Sequence, residues 1–140
     1  MKRIKSFKLF ESNSFESNER LEKRIKEISD VYEDIKSIEY ILDELGYNLR
    51  WKIVVGKFSL NIREGESIHD LVMRNPAFNY DFLRPVKIRI DIPGIGKRTQ
   101  EVAREDINRF KTLLDEHLDY LEESIDFIDG GSYYKIEIKI

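Results

Sequence analysis

His69 and His117 are the only histidines in the chain, and cysteine is absent. Neither imidazole has a second histidine or a cysteine at metal-ligand spacing, so no zinc-type ligand set assembles from the sequence. Without cysteine, disulfides, thiolate metal sites and a thiol nucleophile are excluded together. His69-Asp70 has the residue types of a general base and its orienter. Adjacent residues on a helix or strand point different ways, however, and no motif marks a serine nucleophile. His117 falls on the apolar seam of a predicted helix, where a partly buried, hydrogen-bonded histidine is expected. The carboxylate pairs Asp115-Glu116 and Glu122-Glu123 lie on the same amphipathic segment and read as its solvated face rather than as an acid–base pair. The sequence therefore assigns no catalytic residue, no cofactor and no metal, and the expected class is a non-enzyme.

Two glycine clusters are the remaining short motifs. Pro93-Gly94-Ile95-Gly96-Lys97 fails as a phosphate-binding Walker loop. Asp91 stands where the motif needs its first glycine, and Arg98 where it needs serine or threonine. Asp129-Gly130-Gly131 reads as a turn. The stretch Ile92-Pro93-Gly94-Ile95-Gly96-Lys97-Arg98-Thr99-Gln100-Glu101 resembles the hairpin of helix-hairpin-helix DNA-binding proteins. That resemblance implies backbone N–H groups at Gly94 and Gly96 facing a phosphate, with Lys97 and Arg98 adding sequence-independent, salt-sensitive attraction. It differs from the family upstream, where Val86 to Asp91 alternates as a strand and a helix is required.

The elements that must position these residues follow from apolar periodicity. Leu21, Ile25, Ile28, Tyr32, Ile35, Ile38, Leu42 and Leu45 recur at helical steps, predicting a helix from Asn18 to Leu45 that Gly46 stops. Trp51, Ile53 and Val55, then Phe58, Leu60 and Ile62, alternate around Gly56-Lys57. A two-residue type II′ turn there sets Val55 opposite Phe58 and Ile53 opposite Leu60. Alternation returns at Val86 to Ile92 and at Tyr134 to Ile140. Between them a second helix is predicted, with its seam through Ile107, Phe110, Leu114, His117, Leu121 and Ile125. Glu66 to Phe82, with Asn75-Pro76, reads as an irregular excursion holding one short helix. The expected fold is α+β, with two helices on one face of a four-stranded mixed or antiparallel sheet in the order α-β-β-β-α-β. Residues 18–140 form the domain, and residues 1–17 an N-terminal amphipathic arm and polar joint.

With 140 residues, 41 % apolar content and 36 % charged residues, the chain is rich enough in core formers to fold as one domain. No apolar run reaches the roughly 20 residues of a membrane span, so a soluble, cytoplasmic protein without a membrane partner is expected. Charge is segregated. The two predicted helices together carry −10, whereas the whole chain is −3, which leaves +7 elsewhere. The polar strand positions and adjoining turns hold Arg50, Lys52, Lys57, Arg63, Lys87, Arg89, Lys135 and Lys139 against Asp91 and Glu137. A basic outer sheet face suits an acidic protein surface or single-stranded nucleic acid. Tyr133 alone lies in the polar register, too few rings for base-stacking recognition of the kind RNA-reading sheets use.

The opening Met1-Lys2-Arg3-Ile4-Lys5-Ser6-Phe7-Lys8-Leu9-Phe10-Glu11-Ser12 is similar to that of many small proteins of large tailed bacteriophages. Ile38-Glu39-Tyr40-Ile41-Leu42-Asp43-Glu44-Leu45-Gly46-Tyr47 is similar to segments of uncharacterised phage proteins. The resemblance implies a virion or accessory protein, placed in the host cytoplasm or the virion, and transfers no functional residue. Read on their own, Ile4, Phe7 and Phe10 form the apolar side of an arm that docks on a partner protein or a second copy of the chain. The expected function is an interaction or assembly protein. The alternative is a sequence-independent nucleic-acid-binding protein using the basic sheet face or the Gly94 to Arg98 loop.

Overall fold

The computed structural model describes residues 2–140, with side chains for residues 18–121 and 124–140. Helix α1 (Lys2–Lys36) and a single-turn α2 (Tyr40–Asp43) lead into the hairpin β1 (Arg50–Val55) and β2 (Phe58–Asn61). Helix α3 (Ile68–Arg74), a 3-10 turn at Pro76–Phe78 and α4 (Asn79–Phe82) precede β3 (Val86–Ile92). Helix α5 (Gln100–His117) and a 3-10 segment at Asp119–Ser124 then connect to β4 (Ile125–Asp129) and β5 (Tyr134–Lys139). The chain is thus α+β, with one antiparallel sheet in the order β2-β1-β3-β5-β4.

The hairpin has the register its alternation requires. Val55 pairs with Phe58 and Ile53 with Leu60, while Gly56 takes the positive φ of 58° that a type II′ turn places first. Trp51–Ile90–Ile136 and Ile53–Ile88–Ile138 then run as rows across three strands, all buried, toward Ile28, Ile35, Phe110 and Leu114 on the helices. One face of the sheet is therefore core, and the helices cover it because each has a single apolar side to bury.

The structure departs from the sequence-based expectation at several places. The first helix does not run unbroken to Leu45. Ser37 Oγ donates to the Asp34 carbonyl at 2.6 Å, and the amides of Ile38 and Glu39 reach back only three residues, to Ile35 and Lys36. A serine that competes for backbone carbonyls ends the α-helix there, and α2 carries the stripe on to Leu42. Gly46 does terminate it, at φ 86°, with Tyr47 N donating to Leu42 O and Gly46 N to Asp43 O in a Schellman closure. At its other end α1 extends through the predicted joint at Ser12 to Asn18. The arm residues Ile4, Phe7 and Phe10 lie outside the described side chains.

The second helix ends at His117 rather than continuing to Ile125, and a fifth strand follows. Ile125, Phe127 and Asp129 pair with Ile138, Ile136 and Tyr134, closing what would be the bare outer edge of β5. The run Leu118-Leu121-Ile125 fits helical spacing and Ile125-Phe127 fits strand spacing; the hydrogen bonds that β5 offers decide between them. His117 is consequently exposed at the end of α5, and Leu118 takes the buried position. In the excursion, Ser67 Oγ accepts from Asp70 N and starts α3, which buries Ile68, Leu71 and Val72 against α1. Finally, Arg24 on α1 donates from Nε to Phe82 O and from Nη2 to Arg84 O and Ile140 O, at 2.6–3.0 Å. It thereby ties α1 to the carbonyls at and after the end of α4 and to Ile140 O, which also accepts from Val86 N of β3.

Glu66 closes the loop between β2 and α3. Its carboxylate accepts from Arg74 Nε and Nη2 at 2.8 and 2.9 Å and from Arg63 N at 3.1 Å, and Arg74 also donates to Asn61 O. The Arg74 bonds, assisted by the Arg63 amide, hold the Glu66 carboxyl down at about 2, well below 4.5. A depressed carboxyl pKa stabilises the fold above the unfolded value, and that contribution disappears as pH falls from about 4.5 toward 2. Glu66→Gln should lower stability at neutral pH, modestly, as solvent screens the pair. The difference in urea midpoint between wild type and variant should shrink on titration from pH 5 to pH 2.

Candidate binding face

The second face of the sheet carries no helix among the described residues and is built in cross-strand rows. The outermost row is Arg50–Asp91–Lys135–Ile128, and next comes Lys52–Arg89–Glu137–Asp126, with Asn61 of β2 beside Lys52. Lys87 and Lys139 pair directly in a third row with Val54. Six bases therefore face three acids on this surface. The excess is positive, as the strand pattern requires, but β4, which forms where the seam of the second predicted helix ends, adds Asp126.

Most of the cations are already engaged. Asp91 takes Lys52 Nζ at 3.2 Å and Arg89 Nε at 2.7 Å. These two bases hold its carboxyl below the ordinary range, despite opposing burial, which is the largest influence on it. Glu137 receives Lys87 at 3.5 Å, and Asp126 receives Lys139 at 3.4 Å. Arg50 and Lys135 have no ion pair among the described residues. Arg63 follows β2 in the loop toward α3 and lies off the strand rows.

The Gly94 to Arg98 loop connects β3 to α5, so a strand and not a helix precedes it. Gly96 supplies the positive φ, 64°, and Lys97 is exposed. Arg98 turns inward. Its guanidinium stacks 3.9 Å from the centroid of Tyr47, and Nη1 donates to Ile95 O at 3.1 Å. The Tyr47 hydroxyl donates to Asp106 at 2.7 Å, and burial together with that bond pushes its pKa well up. Thr99 Oγ1 accepts from Val102 N, so the first turn of α5 is capped by its own side chain.

At the outermost row, Arg50, Arg89, Asp91, Pro93, Tyr133 and Lys135 border a notch of about 320 Å³. Tyr133 sits on Gly130, where a Cβ would collide with the ring, and Lys135 Nζ is 5.8 Å from the ring centroid. A larger cleft of about 570 Å³ opens beyond Arg50 toward α1, bordered by Lys36, Glu39, Trp51 and Arg63 among others. Lys36 is consumed there, 4.9 Å above the Trp51 ring and 2.8 Å from Glu39. Burial, reinforced by Glu39 and Glu66, pushes the Tyr32 phenol in that wall up to about 12, so it keeps its proton at neutral pH. His69 and Asp70 are 3.9 Å apart and both exposed on α3. Among the described residues there is no cluster of three or more His, Asp or Glu that could hold a metal, and no helix long and apolar enough to cross a membrane.

These features define the class as an α+β domain with a one-sided antiparallel sheet whose uncovered face is charged and mildly basic. No protein-family model, no curated protein and no solved structure matches the chain.

Proposed function

We propose that this is a non-enzymatic interaction or assembly protein whose open sheet face docks an acidic protein partner. The N-terminal resemblance favours a phage virion or accessory role. The observation that carries the reading is the uncovered face itself, where six bases stand against three acids. A protein surface of mixed charge complements a face on which paired cations alternate with acids. A nucleic acid is served less well, because none of the cross-strand rows of the face carries an aromatic ring on which a base could stack. The Gly94 to Arg98 loop adds only Lys97 as an outward-facing cation.

Fluorescence anisotropy with labelled poly-glutamate and with an oligothymidylate of equal charge, at low and near-physiological salt, tests the proposal. Poly-glutamate should bind at low salt, and Lys87→Glu with Arg89→Glu should weaken it about tenfold while leaving the melting curve cooperative. Absence of binding to poly-glutamate at low salt would sink the reading. Markedly tighter binding of the oligonucleotide would transfer the face to nucleic acid.

A further inference from the structure

The paired and unpaired cations of the open face are not interspersed at random. Asp91 lies between Arg50 and Lys135 in the outermost row, directly across the strands from both. Its carboxylate nevertheless turns to the next row, to Arg89 two residues back on β3 and diagonally to Lys52 on β1. Each Asp91 oxygen is thus engaged by another base, and Arg50 and Lys135, which flank it, border the notch without an ion pair among the described residues. The same notch has an apolar wall, formed by the Tyr133 ring and Pro93.

Resting on the proposed function, we infer that this notch is the specificity-determining subsite of the face, and that it takes an extended acidic peptide segment of the partner. A carboxylate side chain docks between Arg50 and Lys135, and a neighbouring aromatic or aliphatic side chain packs on Tyr133 and Pro93. Arg50 suits the carboxylate because its planar fork donates two parallel hydrogen bonds. Lys135, tethered near the ring, adds a second donor. The volume is at the small end of ligand pockets, enough for a few side chains and too small for a folded element. Gly130 is a positioning residue here: its missing Cβ lets the Tyr133 ring lie flat on the backbone, which keeps the ring at the rim. Its φ is not positive, so alanine needs no left-handed backbone there, and its Cβ displaces the Tyr133 ring.

The test titrates the whole protein with a labelled peptide of alternating Asp and Phe, its Asn/Phe counterpart and oligothymidylate. The Asp/Phe peptide should bind best. Arg50→Gln with Lys135→Gln should weaken it tenfold or more, and Gly130→Ala several-fold, with unchanged melting temperature for the first pair. Lys87→Gln, at a base already paired with Glu137, should change it less than twofold. If Arg50→Gln with Lys135→Gln has no effect while Lys87→Glu with Arg89→Glu abolishes binding, the subsite is wrong and the docking face stands. If neither the peptide nor poly-glutamate binds at low salt, both fall. Tighter binding of oligothymidylate that depends on Arg50 and Lys135 would overturn the peptide assignment in favour of a nucleotide subsite.

Discussion

Ile136→Asp should leave the chain without a cooperative melting transition. Ile136 is fully buried in β5, paired with Ile90 of β3 on one side and Phe127 of β4 on the other. The substitution removes a buried aliphatic side chain, worth about 2–5 kcal/mol, and sets a carboxyl among apolar neighbours. Leaving that group charged costs several kcal/mol more, and protonating it still leaves a polar group without a partner. Together these approach the whole stability of a domain this size, about 5–15 kcal/mol. Glu137→Gln, one residue along, changes only an open-face pair with Lys87 and should shift the midpoint little. Near-ultraviolet circular dichroism and thermal melts of the two variants check the prediction. A folded Ile136→Asp protein would mean that the buried face of β5 is assigned to the wrong side.

Arg98→Glu should destabilise the domain by about 3 kcal/mol, whereas Lys97→Glu should be close to neutral. The pattern Gly96-Lys97-Arg98 makes the two bases look equivalent, and as a hairpin pair both would be solvent cations. Their surroundings differ. Arg98 stacks on Tyr47 and donates to Ile95 O, so its loss removes a cation–π contact of about 1–2 kcal/mol and a charged hydrogen bond of about 1.5–3 kcal/mol. A glutamate there also faces the ring whose hydroxyl is bonded to Asp106. Urea denaturation of the single variants measures the difference. Equal small effects would release Arg98 from the fold and return it to the list of surface cations. Until the two are separated, a double charge reversal at 97 and 98 reports on folding as well as on any loss of binding.

Much of the architecture was legible because it is local. Alternation around Gly56 determines the β1–β2 register, since a shift of one residue would turn Val55 and Ile53 to solvent. The stripes of α1 and α5, the stop at Gly46 and the apolar sides of β3 and β5 follow from period and turn chemistry in the same way. So does the sign of the open face, because its bases alternate along each strand with the buried positions.

What sequence alone left open depends on partners distant along the chain. Ile125 to Asp129 satisfies either period, and becomes a strand because β5 presents an unpaired edge. Arg24 looks like any helix-surface base until Phe82, Arg84 and Ile140 bring their carbonyls to it. The strength of the candidate site is of this second kind. Composition determined that the face is basic, but whether a given lysine or arginine is available depends on which carboxylate lies within about 4 Å of it across the sheet, and Coulomb attraction falls too steeply with distance for sequence spacing to stand in for that separation.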